Sequence, residues 1–188
     1  MRMPTHPKKL PKLTTGAEDQ PVQYGNVWIK EMTTGPERLV IGANEKHIEL
    51  ITALMNVMPE PFGVLYILDV SHCGHKPGRY ELNRPLSRDD AEFFLWDFQT
   101  YLEQDARHQI WIASSGGKEM IVYDQHDLIY VYGSLDRYLG ALPAGFIEGK
   151  SLIPVPHNHH YNTQFSLEED RIMAEHSWTW YPLQSEDF

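Results

Sequence analysis

The densest group of metal-capable side chains in this chain is Pro156-His157-Asn158-His159-His160-Tyr161-Asn162. In an extended segment, residues two apart point the same way, so His157 and His159 could present two ring nitrogens to one ion. His176 or the carboxylate of Glu168 would complete the shell. Imidazole and carboxylate ligands around an open position suit a divalent transition metal, such as zinc, iron or manganese, that activates water or binds oxygen. The spacing does not reproduce H-E-x-x-H, and a polar loop whose histidines bond locally or sit in water accounts for the same residues.

A second constellation, Asp69-Val70-Ser71-His72-Cys73-Gly74-His75, follows an apolar run, where a strand would leave its sheet. Such positions often display functional groups. Cys73 beside imidazoles could act as a nucleophile with Asp69 orienting the base. Catalytic Cys and His usually meet through the fold rather than along the chain, so a loop with one partly buried thiol is the simpler account. His72 and His75 could also join His157 and His159 around one metal. Ser114-Ser115-Gly116-Gly117-Lys118 lacks G-x-x-x-x-G-K-[ST] and lies between strand-like runs, as a hairpin turn would. Asp124-Gln125-His126-Asp127 offers carboxylates and an imidazole, in residues that also make good turns. Neither G-x-S-x-G nor G-x-G-x-x-G occurs, so no catalytic residue is assigned and a non-enzymatic reading is favoured.

Aromatic side chains in an acidic chain point to a partner. With 16 Lys+Arg against 26 Asp+Glu, the net charge is −10. Such a surface repels phosphate backbones and attracts basic proteins. Phe93 and Trp96 fall off the main apolar stripe of their helix, and Trp178 and Trp180 crowd the end of the chain, so these four are the candidate partner contacts. In size and charge the chain resembles immunity proteins that neutralise a basic toxin, or small regulatory partners. That likeness implies a module that docks a basic protein, present as a monomer or weak homo-oligomer. The alternative is a metal-dependent enzyme or small-molecule binder centred on His157 and His159.

These residues need elements to hold them. Residues 1–24 mix Pro, Lys, Thr and Gly without periodicity and read as a flexible or surface-laid arm, with 25–188 as one domain. Runs at 27–32 and 37–41 read as a hairpin across Thr-Thr-Gly-Pro. The spacing predicts a helix over 45–58, with Ile48, Ile51, Leu54, Met55 and Met58 on one side. Residues 63–70 form an apolar run expected to be a strand covered on both faces. Ser87 opens a helix to about 104, and runs at 109–113, 119–124 and 128–132 read as an antiparallel meander. A short helix follows Ser134, and Ser166-Leu167-Glu168-Glu169 has the form of a capping box opening a helix to about 176. The expected fold class is therefore α+β: an antiparallel or mixed sheet of about five to six strands with three to four helices packed on it.

One cysteine excludes an intramolecular disulfide. The longest strongly apolar run, 64–68, is too short to cross a bilayer. The start MRMPTHPKKLPKL has no apolar core of a signal peptide, so the expected location is cytoplasmic.

Overall fold

Short β-branched and aromatic runs closed by turn residues make the strands of this chain, and five short amphipathic segments make its helices. The computed structural model describes residues 11–16, 19–150 and 158–187. Strands β1 (Leu13–Thr15) and β2 (Gln20–Pro21) form a small hairpin, and β3 (Val27–Glu31) and β4 (Arg38–Gly42) form the next. Helix α1 (His47–Met55) buries Ile48, Ile51, Leu54 and Met55. Its N-cap residue, Lys46, has φ 61° and no side-chain acceptor to offer. Glu103 serves instead, its Oε1 accepting the Ile48 N–H at 2.8 Å.

Strands β5 (Phe62–Leu68) and β6 (Gly78–Leu82) are antiparallel neighbours. Helix α2 (Arg88–Asp97) is capped by Ser87, whose Oγ accepts the Asp90 N–H at 3.2 Å. Helix α3 (Gln99–Gln104) leads into the meander β7 (His108–Ser114), β8 (Met120–Tyr123) and β9 (Leu128–Tyr132). Then come α4 (Leu135–Ala141), β10 (Ile147–Glu148), β11 (Asn158–His159), α5 (Ser166–Glu175) and β12 (Trp178–Tyr181).

The sheet is larger than the residue pattern suggests. Nine strands run in the order β10-β3-β4-β9-β8-β7-β5-β6-β12, every pairing antiparallel except β10 with β3, and β11-β1-β2 form a separate three-stranded sheet. With five α-helices among the described residues, this corrects the expectation of five to six strands and three to four helices. Of the additional strands, β10 and β12 are edges of the large sheet, β2 and β11 are edges of the small one, and β6 lies between β5 and β12. β6 reads Gly-Arg-Tyr-Glu-Leu and β10, β11 and β2 have two residues each, so none shows a recognisable period, and β10, β11 and the β12 side of β6 take their hydrogen bonds from distant partners. The single helix expected over 88–104 is interrupted at Phe98, whose φ −100° and ψ 8° break it into α2 and α3.

Alternation along the strands places the core on one face. Phe62, Val64, Tyr66, Ile110, Ile112, Ile121, Tyr123, Ile129 and Val131 pack with residues from all five helices. On the other face Gly63 and Leu65 of β5 stay half-buried, so the central strand is covered on both sides only from Ile67 onward. The C-terminal residues reach this second face, where Gln109 Nε2 donates to the Asp187 carbonyl at 2.5 Å. Within the stretch read as an arm, Lys12, Leu13 and Thr14 are buried and β1 pairs with β11; residues 1–10 lie outside the described chain. No helix among the described residues is long and apolar enough to cross a membrane.

Candidate functional site

Helix α2 turns Ala91, Phe94 and Leu95 inward, and a 3.6-residue period then sends Phe93 and Trp96 outward. They are three residues apart and so share a face, with 72% and 44% of their surfaces exposed. Asp89, Asp90, Glu92 and Asp97 belong to the same helix. Across from them α5 contributes Glu168, Asp170 and Glu175 at its surface.

The cations of these helices are already engaged. Arg171, the only basic residue of α5, pairs with Asp97 of α2, with Glu168 at 2.7 Å and with Glu175 at 3.0 Å. The Asp97 bond, then the other two carboxylates, hold its pKa above the usual arginine value against partial desolvation. Arg88 points back to the end of α1, donating to the carbonyls of Met55 and Met58 at 2.5 and 2.8 Å. The two exposed rings therefore sit beside carboxylates, with the helix cations Arg88 and Arg171 engaged and Arg84, on the lining of the same cavity, exposed. Beside them a cavity of about 510 Å³ opens between α2 and the strand ends, lined by Leu82, Asp90, Phe93, Phe94, Glu175 and His176 among others.

No family model matches the chain. Neither a curated protein nor a solved structure matches it. The site is accordingly read from its own geometry.

The histidines singled out as ligands are dispersed. His176 ends α5 and lies edge-on to Phe94 at 5.1 Å and to Trp178 at 5.8 Å, where burial lowers its pKa. His75 Nε2 lies 2.8 Å from Asp170 Oδ1. His72 stands against the Tyr161 ring at 6.3 Å. His159, held in β11, packs on His126 at 4.7 Å, and burial, with the His126 and Lys12 charges adding to it, lowers its pKa. His157 lies outside the described residues. Among those described, no three His, Cys, Asp or Glu side chains come together to hold a metal ion. The physical reason is that β11 is bound into the small sheet while His176 is drawn into the aromatic core beneath α2.

Of the partner candidates, Phe93 and Trp96 are brought together and exposed, whereas the two tail tryptophans pack against their own chain. Trp178 donates through Nε1 to the Ile172 carbonyl at 2.9 Å and lies 6.1 Å from the Tyr66 ring. Trp180 covers Gly78, donates to the Pro77 carbonyl at 3.3 Å, and has the Lys76 ammonium 3.3 Å from its ring centre. The Cys73 Sγ–H donates to the Ser166 carbonyl at 3.1 Å, and burial together with Glu169 and Asp170 pushes its thiol up. A thiol surrounded by carboxylates is a poor source of thiolate.

Residue patterns gave no sign of the buried triad beneath this loop. Arg107 is completely buried, bonding both oxygens of Asp105 at 2.7 and 2.9 Å, Glu169 Oε2 at 2.5 Å and the Asn162 carbonyl at 2.9 Å. Glu169 in turn accepts from Ser71 Oγ and the His72 N–H, tying α5 to the Ser71–His75 turn. Burial opposes the Glu169 charge, but the Ser71 and Arg107 bonds outweigh it and hold the carboxyl below its usual range. Near by, burial pushes Asp69 up to about 7, with Asp187 and Asp124 adding to it and the Gln109 hydrogen bond opposing it.

Proposed function

We infer that this chain is a protein-binding module that docks a basic protein partner on the α2–α5 face, in a regulatory or immunity-like role. The observation that carries this reading is the exposure of Phe93 and Trp96 on one helical face that also carries Asp89, Asp90, Glu92 and Asp97, with Glu175 of α5 close by and Arg84 an exposed cation on the adjoining cavity. Exposed aromatic rings gain most when a partner removes them from water, and such rings dominate binding hot spots. The surrounding carboxylates would steer a basic surface toward them and disfavour an acidic one. The cavity behind Phe93 offers room for an inserted side chain.

The test begins with capture from the native extract on immobilised full-length protein, followed by purification of the captured protein and calorimetry on the two components. A Phe93→Ser/Trp96→Ser variant should bind at least a hundredfold more weakly, as expected for the loss of hot-spot rings. Raising salt should lower the association rate of the parent. A captured partner that is acidic, or one whose affinity survives the double substitution, would overturn the reading.

A further inference from the structure

A second cavity, of about 450 Å³, lies between the N-terminal strands, the start of α1 and the end of α3, and shares no lining residue with the cavity beside Phe93. Its volume is in the range of small-molecule sites. Its buried lysine, Lys12, is not available to a ligand. Lys12 Nζ lies 2.7 Å from Asp127 Oδ1, and 3.4 and 3.3 Å from the Leu102 and Asp124 carbonyls, which occupies its three protons. Lys46 pairs with Glu49 at 3.2 Å.

The acceptors are the groups left over. His47 is only 5% exposed and its ring stacks on Tyr123 at 5.3 Å. Burial holds its pKa below the ordinary value, so at neutral pH the ring is uncharged. With the ring proton on Nδ1, its Nε2 is a lone-pair acceptor, and it meets no hydrogen-bond partner on the protein. Gln104 Oε1, on the lining of the same cavity, is a second buried acceptor without one. Glu103 is also there, its Oε1 taken by the Ile48 N–H and its Oε2 by Gln99 Nε2 at 3.3 Å, with lone pairs to spare on both. Once Lys12 and Lys46 are counted with their partners, the charges remaining on the lining are the carboxylates Glu45 and Glu103.

Buried acceptors without donors cost free energy that a ligand N–H would recover, and the residual charge selects a cation. The apolar part of the wall comes from Leu13, Val22 and Tyr24. We propose that this cavity binds a small organic cation, a primary amine or amidine on an apolar body. Its N–H groups donate to His47 Nε2 and Gln104 Oε1 beside Glu103, and its body lies against Leu13, Val22 and Tyr24. Uncharged His47 suits this role, because an imidazolium would repel the same ligand.

Titration of the full-length protein with benzylamine, and with phenylacetate as a probe of similar shape and opposite charge, tests the site by calorimetry and ¹H–¹⁵N NMR. Benzylamine should bind saturably, one per chain, and move the His47 ring and Gln104 side-chain signals. Phenylacetate should bind at least tenfold more weakly. His47→Phe keeps a ring on Tyr123 but removes the acceptor, and should weaken benzylamine at least tenfold while the rest of the spectrum stays native. If that variant does not fold, Gln104→Leu and Val22→Trp, the latter filling the cavity from a half-buried position, should each give the same loss. The proposal is overturned if benzylamine does not saturate, if phenylacetate binds equally well, or if the cavity variants that fold retain the parent affinity.

Discussion

Replacing Arg107 by methionine should be among the most damaging single changes in this protein. The side chain is fully buried with both carboxylate partners, and methionine fills a similar volume without charge. Removing one member of a buried ionic group strands the others without solvent, which costs about 3–5 kcal/mol. That is a large part of the roughly 5–15 kcal/mol by which such domains are stable. With a urea dependence of about 2 kcal/mol per M, the midpoint should fall by about 1.5–2.5 M.

The pH dependence of that loss follows from the sign at Glu169. In the parent its pKa is held low, so its contribution is present above the ordinary carboxylate range and disappears as pH falls through the folded value. Without Arg107 the stranded carboxylate is better off protonated, and the gap between variant and parent should narrow as pH is lowered toward about 5. Urea unfolding followed by tryptophan fluorescence at pH 7.5 and 5.5 measures both effects. Adding Glu169→Gln to Arg107→Met removes one stranded charge and should restore at least about 1 kcal/mol at neutral pH. A midpoint shift below about 0.5 M, or no recovery in the double variant, would refute the account of the triad as an ionic lock between α5 and the Ser71–His75 turn.

Further outcomes follow from individual positions. Gly78→Ala would place a Cβ against the Trp180 indole and 2.7 Å from the Tyr181 carbonyl oxygen, so it should lower the melting temperature and alter the tryptophan emission as β12 shifts. Asp69→Asn removes a carboxyl whose folded pKa, about 7, lies above its unfolded value, so the proton it binds stabilises the fold below about pH 4 and that contribution is lost as pH rises through 7. The stability of Asp69→Asn relative to the parent should therefore rise between about pH 4 and 7 and level off above it, and a flat difference in urea midpoints would argue against a protonated Asp69. Phe93→Ser should leave the melting curve nearly unchanged, within about 0.5 kcal/mol, because its ring is largely in water, and Trp96→Ser should cost more, because over half of that residue is covered; a large destabilisation from Phe93→Ser would mean that its ring packs on its own domain.

Much of the local structure was legible in the residues themselves. The apolar period over α1, the Ser87 cap of α2 and the meander from β7 to β9 all stand where spacing and turn residues put them, because each depends on neighbours in the chain. The capping box at Ser166 was misleading. Ser166 is already helical, a 3₁₀ turn over Thr163–Phe165 precedes it, and the Glu169 carboxylate bonds Arg107 and Ser71 rather than the helix end. A charge-assisted bond in the interior outweighs a neutral cap at the surface.

The candidate site divides in the same way. Periodicity alone set Phe93 and Trp96 apart from the inward stripe of α2, and composition alone made the chain acidic. Whether those rings stay in water, whether Trp178 and Trp180 pack inward, and whether the histidines converge were decided by the tertiary structure. So was the size of the sheet, whose edges β10 and β12 borrow their hydrogen bonds from strands far away in sequence. Local propensity acts between residues a few positions apart, whereas edge pairing, burial and ionic locks are contacts between segments that meet only once the chain has folded.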